Sequence, residues 1–255
     1  MNLNNTKRLL YPEWRVTIGT YVFRRGIQIE CFSSKDAHAD WCTVGLIPEL
    51  LPRVEVAEGD KAVIELGYEG DYDCILSGKV CPPANASALE LTIKDDMTRL
   101  DSVTIRGTFM DCTPQDIIRY IMETAGIVRY ELSNTVYAKQ EKIAISARRG
   151  TEAIKAVDAL WGTNNSFFFR NGVFYWGIRP LQNYIYILDR GNLLSLTKLG
   201  SLWEAATLGV PWIHHSDVIR IEHIKLSGLY EVEKVIIKND DIGCIRQYVY
   251  FKGES

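Results

Sequence analysis

Apolar and polar residues alternate with a period of two over much of this chain, the pattern of strands that bury one face. Glu13 to Ile18 and Tyr21 to Phe32 read as two such strands joined at Gly19-Thr20, and Arg24-Arg25-Gly26 predicts a bend or bulge inside the second. Ser33 to Asp40 is polar and reads as a loop. Trp41 to Leu46 and Arg53 to Val56 are short strands on either side of a Pro48 to Pro52 segment. Lys61 to Tyr68 puts Ala62, Ile64, Leu66 and Tyr68 on one face. Glu69-Gly70-Asp71 turns it onto Tyr72 to Val80, which Pro82-Pro83 ends because proline cannot donate to a ladder. Ala88 to Lys94 alternates again, and so does Ser102 to Phe109. Six or so strands at short spacing predict a barrel or sandwich.

The period then changes. Thr113-Pro114-Gln115-Asp116 opens a helix with a hydroxyl at the N-cap, proline where its missing N–H costs nothing, and a carboxylate near the positive end of the dipole. Ile117, Ile118, Ile121, Met122 and Ala125 follow at helical spacing, and Gly126 stands where the chain must turn left-handed to stop. A short strand (Ile127 to Glu131), a strand at Lys142 to Ser146 and a second helix from about Thr151 to Trp161 come next. Ser166 to Arg170 and Val173 to Ile178 flank Asn171-Gly172, a strong hairpin signal. This stretch predicts an α+β module. Strands return at Tyr184 to Leu188, Leu193 to Leu199, Glu204 to Leu208, Val218 to Ile224, Tyr230 to Asn239 and Ile245 to Lys252.

One echo runs through the pattern. Gly59-Asp60 introduces a strand that reaches Gly70, and Ser216-Asp217 introduces one that reaches Gly228. Any hairpin uses glycine at its turn, so two unrelated hairpins would look this way; the other reading is two related barrels bracketing the α+β insert.

Composition narrows the function. The 255 residues are 47% apolar and 24% charged, enough for a sizeable core. A net charge of −3 offers no basic surface for nucleic acid. No apolar run approaches the ~18 residues of a membrane span, and the first residues lack the apolar core of a signal peptide, so a cytoplasmic site of synthesis is expected. Cys31, Cys42, Cys74, Cys81, Cys112 and Cys244 form no CxxC and sit mostly in apolar alternation. Reduced structural thiols are expected, with a disulfide or metal role as the alternative.

The candidate chemistry is thin. Asp95-Asp96, Asp71 with Asp73, and Asp240-Asp241 are acidic pairs, but neighbours on a strand point to opposite faces, whereas a glycosidase needs two carboxylates facing one cleft. Solvated turns and strand ends account for all three. Asp71-Tyr72-Asp73 lacks the later Gly and Glu of a calcium loop. His214-His215 with His223 could be imagined as a zinc cluster, yet no HExxH or paired cysteines accompany them, and a loop pair beside Trp212 plus a strand histidine is the expectation. His38 is left over. No GxSxG, Walker loop or dinucleotide fingerprint appears. No catalytic residue, cofactor or metal site is therefore expected. Phe167, Phe168, Phe169, Phe174, Tyr175 and Trp176 crowd one hairpin and make both its faces apolar, which requires a cover from another element or another subunit.

Several stretches resemble the phage tail hub, or late-control D-like baseplate hub, family. They are Gly70-Asp71-Tyr72, Leu89 to Asp95, Gly107-Thr108-Phe109, Thr113 to Ile118 through Ala125-Gly126-Ile127, and the alternating Val218 to Asn239 hairpin. The resemblance implies two related antiparallel β-barrels, residues 1–98 and 186–255, bracketing an α+β linker module at 99–185. It implies a non-catalytic hub: a homotrimer whose barrels line a channel with pseudo-sixfold symmetry, joining a hexameric tail tube to a trimeric central spike. The tape measure and other baseplate proteins are further implied partners. The setting would be the baseplate of a phage or phage-tail-like bacteriocin, contractile or not, assembled in the cytoplasm. The chain is short for that family, so wall digestion would fall to another protein. The rival expectations are a baseplate-associated cell-wall hydrolase and a host-surface carbohydrate-binding module, the latter resting on the aromatics.

Overall fold

The computed structural model describes residues 11–35, 39–47, 54–82, 90–240 and 243–253. The Pro48 to Pro52 segment, Pro83, Leu89, His38 and Asp241 lie outside the described residues.

The first strand-rich region contains β1 (Glu13–Ile18), β2 (Tyr21–Phe23), β3 (Ile27–Ser34), β4 (Trp41–Leu46), β5 (Lys61–Tyr68), β6 (Asp71–Cys81) and β7 (Glu90–Lys94). The expected bend at Arg24-Arg25-Gly26 is present: β2 and β3 are halves of one strand, and Gly26 there has φ +71°. The pairing order β2-β1-β5-β6-β7-β4-β3 begins and ends on that bent strand, so the sheet closes into a barrel. Val16, Ile18, Val44, Ile64, Leu66 and Ile93 fill it and are completely buried. Residues 54–56, expected as a strand, pair with nothing in the sheet.

The closing region contains β13 (Tyr186–Leu188), β14 (Leu193–Leu199), β15 (Leu202–Leu208), β16 (Val218–His223), β17 (Leu226–Asn239) and β18 (Ile245–Lys252). Its order is β13-β16-β17-β18-β15-β14, and β13 and β14 are again two pieces of chain separated by one turn. The two barrels thus share one connectivity: the bent strand, then β4 with β15, β5 with β16, β6 with β17, and β7 with β18. The difference is β1, which lies between β2 and β5 and is antiparallel to both, whereas β13 pairs with β16 directly and in parallel.

The echo in the sequence is real at atomic detail. Ala57 N–H donates to the Asp60 carboxylate and His214 N–H to that of Asp217, each at 2.9 Å. Gly59 and Ser216 follow in the left-handed region, with φ +86° and +65°. Gly59 N–H then donates to Val80 O, and Ser216 N–H to Val232 O. Val80 and Val232 N–H return the bond to Asp60 O and Asp217 O. Gly228 is not part of this echo. The β16–β17 turn falls at Ile224-Lys225, and Gly228 sits inside β17 opposite Ile221.

The barrels are joined by backbone. Residues Lys234 to Lys238 of β17 pair antiparallel with Ser34 to Glu30 of β3, so all these strands belong to one sheet with one core. Asn239 reinforces the joint, its Oδ1 accepting from Ile29 N–H at 3.0 Å and Trp14 Nε1–H at 3.2 Å. An outer row of side chains crosses it too: Trp41 stacks on Phe32, whose cross-strand partner is Ile236, whose next partner is Tyr248.

The insert has its own core. It consists of α1 (Met97–Asp101), β8 (Ile105–Cys112), α2 (Pro114–Thr124), β9 (Tyr130–Leu132), β10 (Gln140–Ala147), α3 (Gly150–Trp161), β11 (Phe167–Arg170) and β12 (Val173–Trp176). The α2 cap is as read: Thr113 and Asp116 form a capping box with proline behind it. Helix α1 lies ahead of the expected Ser102 to Phe109 strand, started where the Asp95 carboxylate accepts Met97 N–H at 3.0 Å; Ser102 is its C-cap, so β8 begins only at Ile105.

One expectation is corrected, and one left open is resolved. Cys31 and Cys42 are joined by a disulfide, because the β3–β4 register sets them directly opposite with Cα atoms 4.1 Å apart. The remaining four cysteines are free thiols. The aromatic hairpin is covered by this chain itself: Phe169, Phe174 and Trp176 enter the insert's core, while Phe168 meets His215 edge-on at 4.5 Å. It needs no second subunit.

Two outcomes test this description. Gly126 has φ +66°, Ile127 N–H closes back on Met122 O, and a Cβ would come within 2.7 Å of the Arg99 guanidinium. Gly126→Val should therefore lower stability by about 1–2 kcal/mol in a denaturant titration; an unchanged midpoint refutes the stop. Alkylation in denaturant without reductant should label four cysteines per chain and with reductant all six.

Candidate functional site

Where the two barrels and the insert meet, charged side chains are buried. The loop from Gly209 to Asp217, between β15 and β16, organises them. It is fixed to its own barrel by Gln247, which accepts from Val210 N–H at 2.9 Å and donates to Ile213 O at 3.2 Å. It reaches the first barrel through Gly209 O, which accepts from the Tyr68 hydroxyl, and Trp212, whose Nε1–H donates to Asp73. Trp212 also stacks between Tyr68 and Tyr186. It reaches the insert through Arg170, which donates to Asp217 at 2.9 Å and to His215 O.

On the first-barrel side stand Asp40 and Asp95. The Asp40 carboxylate accepts from the Ser33 hydroxyl at 2.6 Å and Ser34 N–H at 3.1 Å. Asp95 N–H donates to Asp40 O, and Asp40 N–H to the Asp95 carboxylate at 3.3 Å. Asp95 is thus buried at the point where the barrel hands the chain to the insert, not in a solvated strand end as its sequence suggested. His215 is equally buried, 3.9 Å from Asp40 through Nε2.

Burial sets the charges. It pushes the Asp95 carboxyl up to about 8, helped by neighbouring Asp40, and Asp40 itself up to about 6. His215 is driven down to about 3 by burial and by the Arg170 charge. Burial would raise Asp217 as well, but hydrogen bonds from His214 and the Arg170 guanidinium hold it below the ordinary range.

A Ser216–His215–Asp40 line, with Ser216 Oγ 3.0 Å from His215 Nδ1, has the composition of a nucleophile triad. Its properties are otherwise. An imidazole that protonates only near pH 3 is a weak base, the His215–Asp40 separation is too long for a hydrogen bond, and His215 and Ser216 are buried inside the junction. The cluster is built to hold three units together.

Other candidates are dispersed. Asp73 is engaged by Trp212, and Asp240 accepts from Cys244 N–H at 2.7 Å and pairs with Arg246. His223 accepts from Lys225 N–H at the far end of β16. Among the described residues no three His, Cys, Asp or Glu side chains are grouped to hold a metal ion, and no helix is long and apolar enough to cross a membrane. An open groove at the seam of the barrels carries Arg24, Arg25 and Arg246, with Glu13 as the carboxylate on its wall. Glu13 accepts from the Tyr72 hydroxyl there at 2.9 Å. Sequence reading missed Asp40 and Arg170 altogether: each stands on an otherwise ordinary loop or hairpin end, and only distant chain makes it buried.

No family model matches the sequence. No curated protein matches it either. Solved structures do. The 43 kDa tail protein of prophage MuSo2 from Shewanella oneidensis is 11% identical, with a TM-score of 0.72 over 95% of this chain and 98% of that one. A tail protein from Neisseria meningitidis MC58 is 10% identical, with a TM-score of 0.72 over 95% and 97%. The c3393 protein of E. coli, a component of the type VI secretion system, is 10% identical, with a TM-score of 0.64 over 94% of this chain and 77% of that one. The mainly β fold of this chain, with its α+β insert, is the fold of these tail and secretion-system proteins.

The junction makes stability depend on pH. Because the folded pKa of Asp95 is raised, the folded state holds a proton that the unfolded chain releases, and stability falls as pH rises from about 4 to about 8. Asp40 acts in the same sense up to about 6, while His215 costs stability as pH drops from about 6.5 towards 3. Above neutrality the Asp95 contribution is left alone. The melting temperature of Asp95→Asn minus that of wild type should grow more positive between pH 5 and pH 8.5; parallel curves would show that Asp95 ionises freely.

Proposed function

We propose that this chain is a structural hub of a phage-type tail baseplate. Three copies close into a ring that presents six barrels, joining a six-membered tail tube above to a threefold spike below. The observation that carries this reading is the repeat: one chain holds two barrels of the same strand connectivity and the same entry turn, welded by backbone pairing. A threefold ring of such chains offers a tube six similar surfaces, which one barrel per chain could not do. Likeness of fold to tail proteins supports it. In this reading residues 1–98 and 186–255 serve as the two ring units and residues 99–185 sit at the periphery. The chain works without catalysis, and its place is the cytoplasm during assembly and the tail baseplate afterwards.

The test is mass and shape. Sedimentation should give a species of about 87 kDa, three times the 29.0 kDa chain, and negative-stain images of it should show a ring. Six copies of this chain per ring in an assembled particle would overturn the reading. Release of reducing sugar or peptide from purified cell wall, abolished by one carboxylate substitution, would establish the hydrolase instead.

A further inference from the structure

The bend that divides one barrel strand into β2 and β3 leaves a piece of backbone unpaired. Strand β1 pairs with β5 from Glu13 to Ile18, but with β2 only from Val16 onward. Strand β2 ends at Phe23, and the chain swings away through Arg24-Arg25-Gly26. The backbone groups of Glu13 to Arg15 that point away from β5 therefore meet no strand among the described residues. Short open edges of this kind are where extended segments of other chains add on.

Glu13 and Trp14 of this edge line the open groove of about 670 Å³ at the seam of the barrels. The β17–β18 turn lines it too, through Asn239, Cys244 and Arg246, and Ile27, Leu208 and Ile245 add apolar surface. Its charge is uneven, with three guanidiniums against the one carboxylate of Glu13. Glu13 is occupied by the Tyr72 hydroxyl, and Arg246 is paired with Asp240 at 3.4 Å. Arg24 and Arg25 are exposed and form no ion pair among the described residues. Tyr72 holds Arg24 close to the open edge. Gly67, the register partner of Glu13, has no Cβ, and one there would come within 2.7 Å of the Tyr72 ring. The ring lies across in that space, with the Arg24 guanidinium over it, 5.7 Å from the centroid.

We propose that this groove docks an extended acidic segment of another protein, which adds to β1 as a short strand beside Glu13 to Arg15. Strand addition satisfies the unpaired backbone. Alternation then provides the recognition: side chains of one parity face Arg24 and Arg25 and are carboxylates, while those of the other meet Ile27 and Leu208 and are apolar. Nucleic acid fits less well, because Glu13 stands at the edge itself, Asp240 already neutralises Arg246, and the chain carries a net charge of −3. All of these features lie within one chain, so the site does not require the ring.

The probe is a fluorescein-labelled peptide of alternating Glu and Val, titrated with the full chain and followed by fluorescence anisotropy. Binding should weaken at least about tenfold when Arg24→Glu and Arg25→Glu are combined. Both residues are exposed, so the melting temperature should not change. N-methylation of alternate peptide amides, which removes strand donors and keeps every charge, should abolish binding. Equal affinity for a Lys-Val peptide, or for the double variant, would overturn the site. So would the absence of any anisotropy change up to about 1 mM peptide. Undiminished binding of the N-methylated peptide would overturn strand addition, and tighter binding of a DNA oligonucleotide would assign the groove to nucleic acid instead.

Discussion

Backbone hydrogen bonding along β17 is what the rest of this structure depends on. The strand runs for fourteen residues, more than its own barrel can satisfy. Its first half pairs with β16, and its second half presents one edge to β18 and the other to β3. Buried N–H and C=O groups left unpaired are costly, so a strand of this length fixes where the first barrel must sit. Side chains follow: Val235 and Ile237 enter the common core, while Phe32, Ile236 and Tyr248 continue an apolar row on the outer face. A rigid pair of barrels results from a ladder and not from a flexible tether.

The same device explains why the repeat is visible in some places and hidden in others. The entry turn carries an aspartate whose carboxylate holds the N–H three residues earlier, followed through into a two-bond clasp on a valine. Glycine supplies the left-handed position in one barrel and Ser216 in the other, at φ +65°. Strand β1 and the disulfide belong to the first barrel alone. The two barrels share one plan and differ where each meets different neighbours.

Polar burial serves a different purpose. Arg170 with Asp217 gives little net stability of the kind an apolar core provides, because desolvation offsets most of the attraction, and Asp40 and Asp95, two carboxyls, are joined through the Asp40 N–H. They contribute geometry: each group has one partner arrangement, so the Gly209 to Asp217 loop docks in one way against both neighbours. The two barrels are thereby held in one arrangement, and the proton that Asp95 keeps at neutral pH is the consequence.

The sequence by itself determined whatever depends on a few neighbouring residues. Strands β1, β4, β5, β14 and β18 have the limits their alternation predicted, and the bend at Arg24 to Gly26, the Thr113 cap, the Gly126 stop and the Asn171-Gly172 turn are as read. Each is local, set by side-chain period, capping hydrogen bonds or a left-handed φ. Tertiary structure decided the rest: the Cys31–Cys42 bond, the burial of Asp95 and His215, the cover over the aromatic hairpin, and the β3–β17 weld. These join residues as far as 225 positions apart, as when Asn239 reaches Ile29 and Trp14. No period or composition encodes such a meeting, because it follows from how whole sheets close and which edges they leave open.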